Sequence, residues 1–135
     1  DLTFYLAGIE NSDLGKIPKN IICKGILSSQ ELRVLYNESQ FYFQLSNTEG
    51  FGVALCEAML CECVPIVSNV NYLPTIVSKT GFVLKKRSVS LLEILINKAL
   101  IADLEQLGKE ARIRIIENFS VDNRASLLIG ELTAK

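Results

Sequence analysis

Five short apolar runs, each rich in strand-forming residues, constrain this chain more than any other feature. They are TFYLAG (3–8), IICKG (21–25), FYFQLS (41–46), VPIVS (64–68) and FVLKK (82–86). They are too brief for buried helices, and polar loops or helical stretches separate them. Near-continuous apolar runs of this length suit strands covered on both faces, and intervening helices suit crossover connections. Together they predict an α/β fold: a Rossmann-like parallel sheet with helices on both faces. In such sheets ligands sit outside the carboxyl ends of the strands. The loop 46–52 lies at one of those ends.

Helix signals fill the gaps. Ser28 followed three residues later by Glu31 is a capping-box signature, predicting a helix to about Asn37 with Leu32, Leu35 and Tyr36 on one side. A second helix is expected over about 52–62, and a short one from Leu73-Pro74 through Val77. Pro65 is tolerable at the start of its strand, where a missing donor matters least. Ser88 or Ser90 caps a helix to about Ile101. Leu104, Leu107, Ala111 and Ile115 recur at helical spacing up to Phe119. Ser120 or Asp122 then opens a final amphipathic helix carrying Leu127, Leu128 and Leu132.

The 135 residues are 49% hydrophobic and 21% charged, which suits one compact domain with a real core. The net charge of -1 and pI near 5.5 give no basic surface for nucleic acid. No apolar run approaches the roughly 20 residues of a membrane-spanning helix, and no signal-peptide pattern is present. The four cysteines (Cys23, Cys56, Cys61, Cys63) lack paired zinc spacing, so buried free thiols in a reducing compartment are expected. The chain has no histidine, which removes the usual general base and the triads built on it. It opens on Asp1 and its one methionine is Met59, so a fragment or processed product is expected.

The stretch SNTEGFGVALCEAMLCECVPIVS (46–68) carries the chemistry. Most of it reads as a buried helix, yet Glu57 sits in its middle with Val53, Ala54, Leu60 and Cys61 on the same face. A buried carboxylate needs a partner. Gly50 and Gly52 let the backbone approach a ligand and adopt unusual dihedrals. The helix after them presents unpaired N–H groups and a positive dipole end to phosphate or sugar hydroxyls. Glu49 at the mouth can accept from hydroxyls, and a vicinal diol such as a ribose would satisfy both oxygens of Glu57. A plain helix start, with Glu57 paired to a lysine or arginine elsewhere, is equally compatible with these residues.

EGFGVALCEAML (49–60) resembles the donor-site motif of retaining glycosyltransferases of GT-B fold, in which a Glu, seven residues and a second Glu recur; here these are Glu49 and Glu57. Phe51-Gly52, Ala58-Met59, the VPIVS strand, Leu73-Pro74 and the closing Phe119-Ser120 also match. So does the upstream run KGILSSQELRVLYNESQFYFQLS. The resemblance spans nearly the whole chain and implies a donor-binding C-terminal domain over 1–135. It implies that Glu57 binds the ribose of a nucleotide-sugar donor and that Glu49 acts catalytically, contacting the sugar and positioning its anomeric carbon. Gly50, Phe51, Gly52 and Val53 would hold sugar hydroxyls and the distal phosphate through their backbone N–H groups. Ile26 and Leu27 would lie near the base. Transfer would proceed with retention, the diphosphate leaving with electrostatic help and without a bound metal or other cofactor. The acceptor, a glycan or lipid, would be bound by an N-terminal domain outside this chain. Polysaccharide or glycolipid biosynthesis follows from family frequency, and a cytoplasmic place, peripheral at the inner membrane face, from the same association.

Departures are equally specific. The Pro expected before Ser46 is Leu45, and the small residues and Gly before VPIVS are Leu60-Cys61-Glu62-Cys63. The Gly-Gly before Leu-Pro is Asn71-Tyr72, with Thr75 for the following Glu, and Val121 replaces an aromatic. The family's first strand and helix, with an Arg and a Lys for the diphosphate, have no match. Lys16, Lys19, Lys24, Arg33, Lys79 and the Lys85-Lys86-Arg87 run are the available cations, the last expected on a solvated surface. A Rossmann-like order makes that first strand central. Without it the sheet closes the gap, another chain fills it, or an edge stays open to self-association. The chain alone is then expected to be inactive.

Two other readings remain. A GT-B-fold epimerase or phosphorylase would need another acid/base set or a pyridoxal-binding lysine. A non-catalytic doubly wound module would keep the motif for packing, so that Glu57→Gln would alter stability without any ligand response.

Overall fold

The computed structural model describes residues 2–10, 15–120 and 123. The chain forms two compact units, residues 1–35 and 36–135.

In the first unit, β1 (Phe4–Ala7) and β2 (Ile21–Gly25) pair in parallel. Phe4 lies opposite Ile21 and Leu6 opposite Cys23, with a register shift before Ala7. Helix α1 (Ser29–Asn37) starts here, and its last turn belongs to the second unit. The expected capping box is formed: Ser28 N donates to Glu31 Oε2 at 2.8 Å, and Glu31 N donates to Ser28 Oγ at 3.3 Å. Donation to the Glu31 carboxylate from the Ser28 hydroxyl, at 2.6 Å, and then from the Ser28 N–H lowers the pKa of that carboxyl.

The second unit is a three-stranded parallel sheet in the order β3-β4-β5, made of β3 (Phe41–Gln44), β4 (Val64–Ser68) and β5 (Phe82–Leu84). Its helices are α2 (Val53–Leu60), α3 (Leu73–Val77), α4 (Val89–Leu100) and α5 (Leu104–Asn118). Alternation along β4 divides the core between the two faces. Val67 packs with Leu55 and Met59 of α2, with Leu73, Ile76 and Val77 of α3, and with Ala111 and Ile115 of α5. Val64 and Ile66 face the other way, onto Phe82 and Ala99 of α4. The expected double covering is thus present.

The described strands form two sheets, β1-β2 in the first unit and β3-β4-β5 in the second.

Pro65 is the second residue of β4, a central strand, where a missing N–H is normally costly. Val64 N donates to Gln40 O on the β3 side, so the next residue faces β5. The β4–β5 register begins only at Ile66 opposite Phe82, so no ladder bond is lost at Pro65.

Two strands end earlier than the sequence expectation. β3 ends at Gln44, because Ser68 Oγ takes the Ser46 carbonyl at 2.7 Å and draws the chain out of the ladder. β5 ends at Leu84, leaving Lys85 and Lys86 outside it. Asp103 caps α5, its side chain accepting from Gln106 N at 3.0 Å. Ser88 caps α4 as expected. The expected last helix, with Leu127, Leu128 and Leu132, lies outside the described residues, although Asn123 N donates to Ser120 Oγ at 3.3 Å.

Candidate active site

The loop 45–52 leaves the carboxyl end of β3 and delivers the chain to α2. Ser68, at the carboxyl end of β4, anchors it by donating to Ser46 O. Glu49 is half-buried in this loop. Its Oε1 accepts from Gly50 N at 3.0 Å. Its Oε2 accepts from Gln44 Nε2 and, at 3.4 Å, from Ser46 Oγ. Its main-chain carbonyl accepts from Asn71 Nδ2. The carboxylate is therefore oriented from three sides before any ligand arrives.

Gly52 is the N-cap of α2, with φ 97° and ψ 49°, and no side chain caps the helix. A left-handed backbone favours glycine here. The uncapped first turn leaves N–H groups and the positive dipole end for an anion or hydroxyl. Gly52 is buried, whereas Gly50, Phe51 and Val53 are exposed. Phe51 stacks on Tyr72 with ring centroids 5.8 Å apart, and Phe119 stands edge-on to both. Arg114 lies over the Phe119 ring at 5.6 Å and donates to the carbonyls of Thr75 and Ile76. This holds the end of α5 against α3.

Asn71 stands where the family pattern has glycine, and it keeps a left-handed φ of 44°. The loop after β4 thus retains a glycine-like backbone, and its side chain adds the bond to Glu49.

Glu57 lies on the outer face of α2. The face it shares with Val53, Ala54, Leu60 and Cys61 was expected to be buried; it is the outward one. Val53 is 63% exposed and Glu57 is exposed, while Leu55, Ala58 and Met59 form the buried side. The segment is apolar nearly all round, so periodicity alone does not choose its inner face. Glu57 carries no desolvation problem to explain. Its charge, second to burial, helps push up the hydroxyl of Tyr36 and the thiol of Cys56, the latter to about 11.

Ile26 and Leu27 follow β2 in the first unit, with Ile26 74% exposed. Lys85, Lys86 and Arg87 are exposed, and they line an open cleft of about 350 Å³ at the carboxyl ends of β3, β4 and β5 with Ser46, Asn47 and Ser68. The run is thus a positively charged wall at the ligand end of the sheet, next to the loop that bears Glu49. Gln44 and Ser68 escaped sequence reasoning. The one available signal was a Gln in the otherwise aromatic FYFQ. The described residues contain no group of three or more His, Cys, Asp or Glu placed to hold a metal ion.

The second unit is thus an α/β layer with a glycine-bearing loop, carrying Glu49, at the carboxyl end of its parallel sheet. The profile of the family "Glycosyl transferases group 1" matches residues 10–118, and the chain belongs to that family. It is 39% identical over 54 residues to a GDP-mannose:cellobiosyl-diphosphopolyprenol alpha-mannosyltransferase of Xanthomonas oryzae pv. oryzae (strain PXO99A), covering 40% of this chain and 14% of that protein. It is 50% identical over 44 residues to the protein of the same name from Komagataeibacter xylinus, covering 33% of this chain and 11% of that one. The chain therefore matches a small part of the length of these relatives. In fold it is similar to sucrose-phosphate synthase from Thermosynechococcus elongatus, with a TM-score of 0.79 and 24% identity over 95% of this chain and 37% of that one. It is also similar to a glycosyltransferase from Rickettsia africae ESF-5, with a TM-score of 0.78 and 21% identity over 100% of this chain and 41% of that one.

Proposed function

We propose that this chain is the nucleotide-sugar donor-binding part of a retaining glycosyltransferase of polysaccharide or glycolipid biosynthesis. The observation that carries this reading is the pre-oriented Glu49 carboxylate beside the uncapped start of α2. Glu49 acts on the donor sugar near its anomeric carbon. Backbone N–H groups of Gly50, Phe51, Gly52 and Val53 hold sugar hydroxyls and the distal phosphate. Glu57, exposed on α2, takes the ribose diol, and Ile26 and Leu27 serve the base. No metal or cofactor is required. The names of the mannosyltransferase relatives make GDP-mannose the first donor to try, with a diphosphopolyprenol-linked glycan as acceptor, bound by another part of the protein. No described helix is long and apolar enough to cross a membrane; a cytoplasmic site, peripheral at the inner membrane face, fits such an acceptor. In this reading the chain alone does not catalyse transfer, and the purified chain self-associates.

The test is thermal unfolding with GDP, UDP, ADP and their sugar conjugates, beside Glu57→Gln. A ligand that binds the native state raises Tm. One nucleotide should raise it, and Glu57→Gln should abolish the rise while leaving the ligand-free Tm unchanged. Absence of a shift with every nucleotide would overturn the reading.

A further inference from the structure

We infer that Gln44 is a positioning residue whose amide N–H fixes the Glu49 carboxylate so that Oε1 alone remains open to a sugar hydroxyl; this rests on the donor-site reading above. Gln44 closes β3 in register with Val67, a fully buried core residue, in a strand whose other members are Phe41, Tyr42 and Phe43. Such a place ordinarily takes an apolar side chain. The polar one comes at a cost visible in the structure: Gln44 Oε1 is buried without a hydrogen-bond partner. A buried orphan acceptor destabilises a fold, and replacing it with an apolar group of the same shape can be neutral or stabilising. The cost is offset by one contact, the donation from Gln44 Nε2 to Glu49 Oε2.

That bond has a consequence for the carboxylate. Each oxygen offers about two lone-pair sites. Among the described residues, Oε2 accepts from Gln44 and, at 3.4 Å, from Ser46, while Oε1 accepts from the neighbouring Gly50 N–H. The remaining lone pair on Oε1 is the one a hydroxyl of the donor sugar can use. Without the Gln44 donor, Oε2 keeps only the 3.4 Å donation from Ser46 among the described residues, and the carboxylate is held less firmly in its orientation. Gln44 never touches the sugar, and Ser68 supports the arrangement by donating to Gln44 O at 3.4 Å.

The experiment compares the wild-type chain with Gln44→Met and Gln44→Leu. Each is titrated with the nucleoside diphosphate that shifts its Tm and with the matching nucleotide-sugar. Both variants should keep or raise the ligand-free Tm and keep the nucleoside diphosphate affinity. The extra affinity contributed by the sugar should fall about tenfold, as expected for one hydrogen bond to a charged group. An undiminished sugar increment in either folded variant, or a ligand-free Tm that falls in both, would overturn the role. A wild-type chain that binds nucleotide with no sugar increment would overturn the role of Glu49 and this inference with it. A wild-type chain that binds no nucleotide would overturn the donor-site reading itself.

Discussion

Gly81 lies directly against Pro65: a Cβ on Gly81 would come within 2.5 Å of both the Pro65 carbonyl oxygen and its ring Cγ. The proline ring occupies the β5 side of β4 just before that ladder begins, and a residue without a side chain lets β5 start beside it. Neither position makes sense without the other.

Gly81→Ala forces the new methyl into backbone, which cannot move aside as a flexible side chain would. Overpacking of this kind costs about 1–3 kcal/mol. The variant should unfold at lower urea, with an unchanged m-value, because the loss is in the folded state. Pairing it with Pro65→Ala should recover part of the loss. Equal losses with and without Pro65 would refute the coupling.

Glu62 gives a prediction of opposite sign. Helix α2 ends in a Schellman arrangement: Cys63 N donates to Ala58 O at 3.1 Å and Glu62 N to Met59 O at 3.0 Å. Glu62 holds the left-handed position, at φ 66°, where glycine is the usual occupant. Relieving a left-handed side chain gains roughly 1–2 kcal/mol, less the backbone entropy that glycine loses on folding. Glu62→Gly should therefore stabilise the chain by about 1 kcal/mol and raise Tm by about 3–5 °C. A lower Tm would show that the Glu62 side chain contributes more than its backbone costs.

Cys63 couples stability to alkaline pH. Burial pushes its thiol up from 9.0 to about 12, and its Sγ donates to Tyr36 O at 3.1 Å. The folded state holds this proton more tightly than the unfolded chain does. Stability is therefore full below about pH 9 and is lost as pH rises from there towards 12, with a slope of up to ~1.4 kcal/mol per pH unit. Cys56 is only half-buried, so the rise of its thiol to about 11 adds a smaller, solvent-screened share. Urea unfolding of the wild type and of Cys63→Ala at pH 7, 9, 10 and 11 separates the contribution. The wild type should lose stability faster above pH 9; parallel profiles would mean that Cys63 does not carry the effect.

The local features were legible in the sequence because single residues with fixed roles mark them. β2, β4 and α3 begin and end where IICKG, VPIVS and LPTIV do. Ser28 and Glu31 form their capping box, and Ser88 caps α4. The inner face of α2 was not legible. VALCEAML is apolar on nearly every side, and the choice of Leu55, Ala58 and Met59 as the buried side is made by α3, α5 and Val67. The bond from Gln44 to Glu49 was hidden for a similar reason, since it depends on how the loop after β3 folds back. The missing family glycines were visible as departures. That Glu62 and Asn71 adopt left-handed backbones could be learned only from the fold.

Asn71 brings these threads together at the site. Its left-handed φ of 44° shapes the loop after β4, and its Nδ2 donates to the Glu49 carbonyl in the loop after β3. Two substitutions separate the contributions. Asn71→Gly keeps the backbone conformation and removes only the bond, so it should stay within about 1 kcal/mol of the wild type in urea. Asn71→Ala removes the bond and strains the backbone, so it should fall roughly a further 1–2 kcal/mol. Both free the Glu49 main chain, so both should weaken binding of a nucleotide-sugar relative to its nucleoside diphosphate. If Asn71→Gly binds the two with the wild-type ratio, the tether from Asn71 shapes the loop but does not position Glu49, and the orientation of the carboxylate rests on Gln44, Ser46 and the Gly50 N–H alone.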